Sequence, residues 1–522
     1  MRIIPKVVVM TFFIMFLIIG LICYKDYGLS FDEEAERLTG LVTLKYLLQL
    51  FYPKGLNLVE NINNIPQLNV YVDRIYSPHF QLTCLLFKEI FSVKGTRDTF
   101  LLSHLINFLV FYIGVVLFYK ILKEKFYDWK ICLFGTALLV LSPRIFADSF
   151  YNSKDIVFLT ASLLCCYTFI IYFKNRKFKY LVYHAFTSAL AIDIRIMALL
   201  FPFLTFVFIF LEKIQNKRNF SIRQAVLAST SYCLLLTFFV WLLWPYLWES
   251  PLNNFLAIFN KLNRNGMIGH VLFNGQILTF NNLPWYYIPE WILISTPVIY
   301  TCFFILGNFI LIKQIFLNKV CNQDILAFSL FYIPIIAVIW INAILYDGWR
   351  HLYFIYPFFL IIVVKGGVNT YEYLKNNMGY LGKKLIPFFW GIFAINMGMV
   401  LKFMIESHPY QNVYFNELIN KNNIQQKFEL DYWGLSHRQA LEFLLKRETN
   451  AIVNFNASSG AGGLNLEILN KDQRKRLKHV PLKEATYFLT DYRGHPEPYL
   501  YQVEVYTINV DGFKIMSVFK LK

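Results

Sequence analysis

The chain has 522 residues, 57% of them hydrophobic and only 16% charged, where an average soluble domain carries about 25% charged residues. With 53 Phe, 34 Tyr and a mean hydropathy of +0.45, it reads as a polytopic membrane protein. The net charge of +17 then belongs in cytoplasmic loops and beside anionic headgroups, not on nucleic acid. None of the eight cysteines follows Cys321, and no CxxC or Cys/His spacing suggests zinc. They read as small apolar packers.

The first apolar run, Val7 to Cys23, is long for a signal peptide and lacks a small-x-small cleavage site. It reads as an uncleaved transmembrane helix with a cytoplasmic N-terminus. Further runs follow at Leu101–Tyr119, Ile131–Leu141, Ile156–Phe173, Leu181–Ile192, Ile196–Leu211, Ala225–Leu247, Trp291–Ile312, Ile325–Leu345, Leu352–Val364 and Leu385–Ile405. About eleven spans result, several shorter than the ~20 residues a full crossing needs. Alternate loops are basic: Lys120 to Lys130, Lys174 to Lys179, Lys213 to Arg223 (with Lys217 and Arg218), Lys313 to Lys319, and Lys365 to Lys384. That alternation places them in the cytoplasm. The opposite face receives the first outer loop, 24–98, the loops Ser142–Asp155, Trp248–Glu290 and Tyr346–His351, and a tail from 406 to 522. The expected organisation is a membrane domain over 1–405 and a small extracytoplasmic α/β domain over 406–522.

Within the first outer loop, Glu36 to Leu48 has apolar residues at helical spacing and suits a helix lying in the interface. Asn57–Leu68 is loop. In the tail, Ala440–Arg447 reads as a helix, Ser458–Gly463 as a turn, and Ala451–Phe455, Thr486–Thr490, Val503–Ile508 and Lys514–Phe519 as strands. No internal repeat is found.

The polar motifs gather on the outer face. Tyr27-Gly-Leu-Ser-Phe-Asp-Glu-Glu34 puts Asp32, Glu33 and Glu34 where the first helix leaves the bilayer. Carboxylates there suit a base that takes a proton from an acceptor; a solvated acidic loop is the plainer alternative. Ser142 to Asp155 holds Arg144, Asp148, Asn152, Lys154 and Asp155 in a short loop. A second acid on that face would hold an acceptor or a metal, and helix capping is the alternative. Tyr346-Asp-Gly-Trp-Arg-His351 sets Arg350 and His351 before an apolar run, where a guanidinium can grip phosphate through two parallel hydrogen bonds. The alternative is an interfacial Arg reaching for headgroups. Asp193 and Arg195 are expected to pair structurally inside their apolar region. His408 to Asn416 and Asp431 to Ser436, rich in aromatics and amides, read as the seam where the tail docks. No Gly-x-x-x-x-Gly-Lys-Ser/Thr phosphate loop is present, which points away from nucleotide donors.

At these residues the chain resembles the GT-C superfamily of membrane glycosyltransferases. It resembles in particular the bacterial dolichyl-phosphate-mannose–protein mannosyltransferase-like group, with the aminoarabinose lipid A transferases as cousins. The acid pair Asp32-Glu33 in the first outer loop matches the superfamily hallmark, and the ordered blocks at Ser142–Asp155, Tyr346–His351, His408–Asn416 and Asp431–Trp433 follow it along most of the chain. The resemblance implies inverting transfer of a sugar from a polyprenyl-phosphate donor to a glycan, lipid or protein acceptor, at the plasma (inner) membrane. It makes Asp32 the base, with Glu33 beside it and Asp155 as the acid across the site. Arg350, His351, Lys154, Arg195 and Arg144 become the cations for the donor phosphate. Some relatives use a divalent metal and others do not; without a dedicated ligand cage, metal-independent transfer is the expectation. The tail lacks the look of the β-trefoil of eukaryotic protein mannosyltransferases, which weighs against a protein acceptor. A flippase of polyprenyl-linked glycans and a non-catalytic scaffold are the competing classes.

Overall fold

The computed structural model describes residues 3–59, 61–214, 221–262, 269–449 and 452–522. The basic residues Lys217 and Arg218 and the strand residue Ala451 lie outside the described residues. Long apolar stretches satisfy their own backbone as helices, the form lipid demands. In chain order these are α1 (Ile3–Cys23), α2 (Glu33–Phe51), α3 (His79–Ile90), α4 (Thr96–Phe126), α5 (Trp129–Val140), α6 (Pro143–Tyr151), α7 (Asp155–Asn175), α8 (Phe178–Ile194), α9 (Leu200–Ile214), α10 (Ile222–Leu243) and α11 (Pro251–Leu262). A short hairpin, β1 (His270–Phe273) with β2 (Gln276–Thr279), precedes α12 (Tyr287–Ser295), α13 (Val298–Phe316), α14 (Asn322–Trp340), α15 (Tyr356–Asn377) and α16 (Gly379–Glu406).

Among the described residues, nine helices are long and apolar enough to cross a membrane, and a tenth span arises if α5 and α6 count as one broken element bent by 66°. The eleventh expected run is α8, whose 17 residues sit at the short end of the range for a crossing; it lies between Arg176, which pairs with Glu212, and Arg195, which pairs with Asp155. The α5–α6 break follows from the sequence. Pro143 opens α6 at its first turn, where a missing N–H is harmless. Ser142 Oγ bonds back to the Leu138 carbonyl at 2.8 Å and meets the Tyr356 hydroxyl at 2.7 Å. α15 is the enclosed centre of the bundle, packed on α5, α13, α14 and α16. Its contact with α13 is close because a Cβ on Gly366 would meet the Phe303 carbonyl at 2.0 Å, and one on Gly307 the Ile362 carbonyl at 2.2 Å. Small residues let membrane helices approach in this way.

The tail adds α17 (Ser436–Arg447) and five strands, β3 (Val453–Ala457), β4 (Leu477–His479), β5 (Tyr487–Thr490), β6 (Val503–Val510) and β7 (Phe513–Lys520). They form one mixed sheet in the order β4-β3-β5-β7-β6. β3 runs parallel to β4 and β5, and β7 is antiparallel to β5 and β6. The short edge strand β4 and the hairpin β1–β2 were not legible as strands, being three and four residues long. Ser458–Gly463 is a turn that runs into a single helical turn, Ala461–Leu464.

The tail sits at one end of the bundle, on the loop between α1 and α2. Arg438 donates to the carbonyls of Lys25 and Tyr27 (2.5 and 2.8 Å), and Asn465 bonds Leu29 through both its N–H and its carbonyl (2.9 and 3.1 Å). Gly28 lies so close to the tail that a Cβ would meet the Leu435 carbonyl at 2.3 Å. α4, about 46 Å long at 1.5 Å per residue, starts at this end, where Arg97 donates to the Ile468 carbonyl. It finishes at the other end, where Lys125 and Lys365 both pair with Asp324.

Candidate active site

The site forms where four separated segments meet at the tail end of the bundle. Ser30-Phe-Asp-Glu33 turns the chain into α2. Glu33 Oε1 accepts from Ser30 N at 2.7 Å, and Glu33 N donates to the Ser30 carbonyl at 3.1 Å, closing the turn that leads into α2. Glu33 Oε2 lies 3.0 Å from His104 Nε2 on α4, with both side chains buried. Glu33, expected beside the base, therefore has both oxygens engaged in holding the turn. Its neighbour Asp32 is left pointing the other way. The Asp32 side chain is 33% exposed and makes no hydrogen bond among the described residues.

Asp155, 1% exposed at the start of α7, is the most heavily bonded acid of the site. Arg195 pairs with its Oδ1, Arg350 Nη1 bonds its Oδ2 at 2.9 Å, and Asn152 Nδ2 donates to the same Oδ2 at 3.0 Å. Arg350 is the hub. Its Nη2 is 3.8 Å from Asp32 and its Nε 3.1 Å from Asp347. The guanidinium lies 4.8 Å from the Tyr346 ring centre, 5.6 Å from Tyr432 and 4.5 Å from Trp433. Aromatic faces attract the cation and shut out water, so its pull on the carboxylates is strong.

The turn that delivers Arg350 is itself unusual. Asp347 and Gly348 both have positive φ, +55° and +64°, a backbone that Asp tolerates and Gly favours. Burial pushes the Asp347 carboxyl up to about 6, against the pull of Arg350, Arg144 and Arg493. A carboxyl raised above its unfolded value stabilises the fold fully below about pH 4, and that contribution is lost as pH rises through about 6. Asp347→Asn is therefore expected to melt higher than wild type at pH 7.5 and level with it at pH 4, read as thermal unfolding in detergent.

The remaining cations are spread around this hub. Lys154 lies 3.4 Å from Glu36 and 4.4 Å from the Tyr76 ring centre. Burial raises the Glu36 carboxyl despite Lys154, and Ser153 donates to it. His351 stands edge-on to Tyr346 with ring centres 4.6 Å apart. Arg144 goes elsewhere. It is held between the rings of Trp291 and Phe415 (5.1 and 4.8 Å) and donates to the Tyr414 carbonyl, so it braces the tail. Asp193 and Arg195, expected to pair, do not. Asp193 bonds His79 at 2.5 Å and Ser77 at 3.1 Å, while Arg195 serves Asp155. The helix break after Ile194 lets the two side chains diverge.

A divalent ion does not suit these acids, because Asp32, Asp155 and Asp347 surround a guanidinium that already supplies the positive charge. Among the described residues, Cys23, Asp26 and His408 have metal-ligand spacing. There, however, the Gln411 amide donates to His408 Nδ1 (3.0 Å), which leaves the N–H on Nε2, directed at Asp26. Residues with no sequence argument of their own also enter the site. Asn152, Asp347 and Tyr346 stood unassigned inside quoted motifs, and Tyr432 and Trp433 were read as seam only. His104 lay inside an apolar run, where only its charge could have marked it.

Fold and site together define a polytopic membrane protein with a carboxylate–guanidinium centre at the junction of helix bundle and sheet domain. Residues 78–244 match the family model described as Dolichyl-phosphate-mannose-protein mannosyltransferase, which supports the GT-C resemblance over about a third of the chain. The matched segment contains His104, Lys154, Asp155 and Arg195; Asp32 and Arg350 come to the site from outside it. Two crystal structures of ArnT from Cupriavidus metallidurans are similar at 10% identity. The apo state gives a TM-score of 0.48 over 98% of each chain, and the form bound to undecaprenyl phosphate 0.49 over 97% of each. No curated protein matches the chain.

Proposed function

We propose that the protein is an inverting glycosyltransferase that moves a sugar from a polyprenyl-phosphate donor to an acceptor outside the cytoplasm. The observation that carries this is the meeting of Asp32, Asp155 and Arg350, from the turn before α2, the start of α7 and the segment before α15, at one buried guanidinium. Asp32, the exposed and unbonded acid, takes the proton from the acceptor nucleophile as that atom attacks the anomeric carbon. The bond from the anomeric carbon to the phosphate oxygen breaks, and the electron pair leaves with the lipid phosphate. His351 stands nearby as a hydrogen-bond donor, and Arg195, Arg350 and Lys154 bring their positive charges to this end of the site. Such fixed cations stabilise the charge developing on a departing phosphate. The family matched by residues 78–244 is named for a dolichyl-phosphate sugar donor, which supports that donor class. On this reading the basic loops face the cytoplasm, and the tail domain (406–522) lies outside a plasma-membrane bundle (1–405).

The test is incubation of purified protein with radiolabelled polyprenyl-phosphate sugars and an envelope extract. Label passing from the lipid to an acceptor, with inverted anomeric configuration, is the expected result. Label crossing vesicle membranes while still lipid-linked would make the protein a flippase instead.

A further inference from the structure

Beside the centre, inside the tail, lies a cavity of about 150 Å³ between the β1–β2 hairpin, the segment before α17 and the loop after β5. Its polar lining is Glu429, Asp431, Asp491, Arg493, Lys514 and His270. The cavity shares a wall with the proposed reaction centre. The Arg493 guanidinium lies 4.0 Å from the Tyr432 ring centre and 5.2 Å from that of Phe31, the neighbour of Asp32, and the same Tyr432 ring centre lies 5.6 Å from the Arg350 guanidinium.

Most of the charge in the lining is already met. Asp431 accepts from Leu435 N and Ser436 N (3.1 and 2.9 Å), and Asp491 accepts from the hydroxyls of Ser458 and Ser459 (2.9 and 3.0 Å). Lys514 is bound to both oxygens of Glu504 at 2.8 and 2.9 Å, and Arg493 donates to the Tyr432 carbonyl at 3.2 Å. Glu429 alone among the lining acids has no hydrogen bond or ion pair among the described residues. Burial, with Asp347 and Asp491 nearby, pushes its carboxyl up to about 8, so at neutral pH it both donates and accepts. Asp431 and Asp491 disfavour an anion such as phosphate, while Arg493 and Lys514 disfavour a cation. The volume equals about five waters at 30 Å³ each, room for one small ring and not for a chain.

We propose that this cavity is a subsite for a neutral sugar ring of the acceptor, with Glu429 bonding its hydroxyls. The role as acceptor subsite rests on the glycosyltransferase reading, but the binding itself does not. The test uses full-length protein in nanodiscs without any donor, and saturation-transfer NMR with the methyl glycosides of mannose, galactose and N-acetylglucosamine. At least one glycoside binds wild type. Glu429→Leu weakens that binding about ten-fold or more, and Glu429→Gln, which keeps a neutral donor and acceptor, restores it to within about three-fold, ten-fold being one lost hydrogen-bonded contact. Ile277→Trp, at the 55% exposed rim of the hairpin, blocks the cavity from outside the folded core and also abolishes binding. No binding of the three glycosides to wild type, or binding that survives both Glu429→Leu and Ile277→Trp, overturns the proposal. Since no donor is present, this outcome is independent of whether the protein transfers sugar.

Discussion

Asp32→Asn is expected to insert and fold like wild type while transfer falls by about 10²- to 10⁴-fold, the usual worth of a positioned base. The substitution keeps shape and removes only the charge and basicity. Little structural loss should accompany it, because Asp32 is one-third exposed and its one ionic contact, to Arg350, is 3.8 Å long. The adjacent acid makes the contrast. Glu33 is 6% exposed and ties Ser30 to His104, so Glu33→Gln should lower thermal stability as well as transfer, since it weakens the buried hydrogen bonds to both and loosens the turn that aims Asp32. Size-exclusion profiles and melting curves of the two variants, set beside donor turnover, separate the roles. Wild-type transfer by Asp32→Asn would require another base. An unaltered melting curve for Glu33→Gln would mean that the turn holds without it.

How far this centre can be seen in the sequence depends on the kind of signal each part leaves. Hydrophobic length marks a span directly, so nearly every run expected to cross is helical. The chain breaks in two places: Pro143 bends α5 into α6, and α8 stops at Ile194 after 17 residues. Asp32, Asp155 and Arg350 stand out because a charge near lipid is expensive and needs a reason. Which charge meets which is not local information. Asp193 and Arg195 are two residues apart yet serve His79 and Asp155, because a helix end sends successive side chains in different directions. Tyr432 and Trp433 look like any aromatic pair at a docking seam. Only the fold brings them within 6 Å of a guanidinium that enters from 80 residues earlier. Arg144 shows the reverse case: its sequence neighbourhood is that of the site, but its charge is used between Trp291 and Phe415.

Arg350 carries the second large effect, and it is both structural and chemical. The residue is 2% exposed, and its partner Asp155 1%. Removing one member of a buried pair leaves the other charged and uncompensated, which costs about 3–5 kcal/mol. Arg350→Ala is therefore expected to express poorly or melt well below wild type. Arg195 and Asn152 remain on Asp155 and should keep the loss toward the lower end. Arg350→Lys retains the charge, but an ammonium is a compact point charge without the planar fork that meets Asp155, Asp347 and Asp32 from three nitrogens. It should fold nearer to wild type and still lose most transfer. Asp347→Asn added to Arg350→Ala should recover part of the lost stability, since Asp347 is already reluctant to ionise and is more so without its cation. Melting temperatures of the four proteins at pH 7.5, read beside lipid-to-acceptor transfer, decide the matter. If Arg350→Ala proves as stable as wild type, the three acids do not depend on this guanidinium, and Arg350 is not the centre of the site.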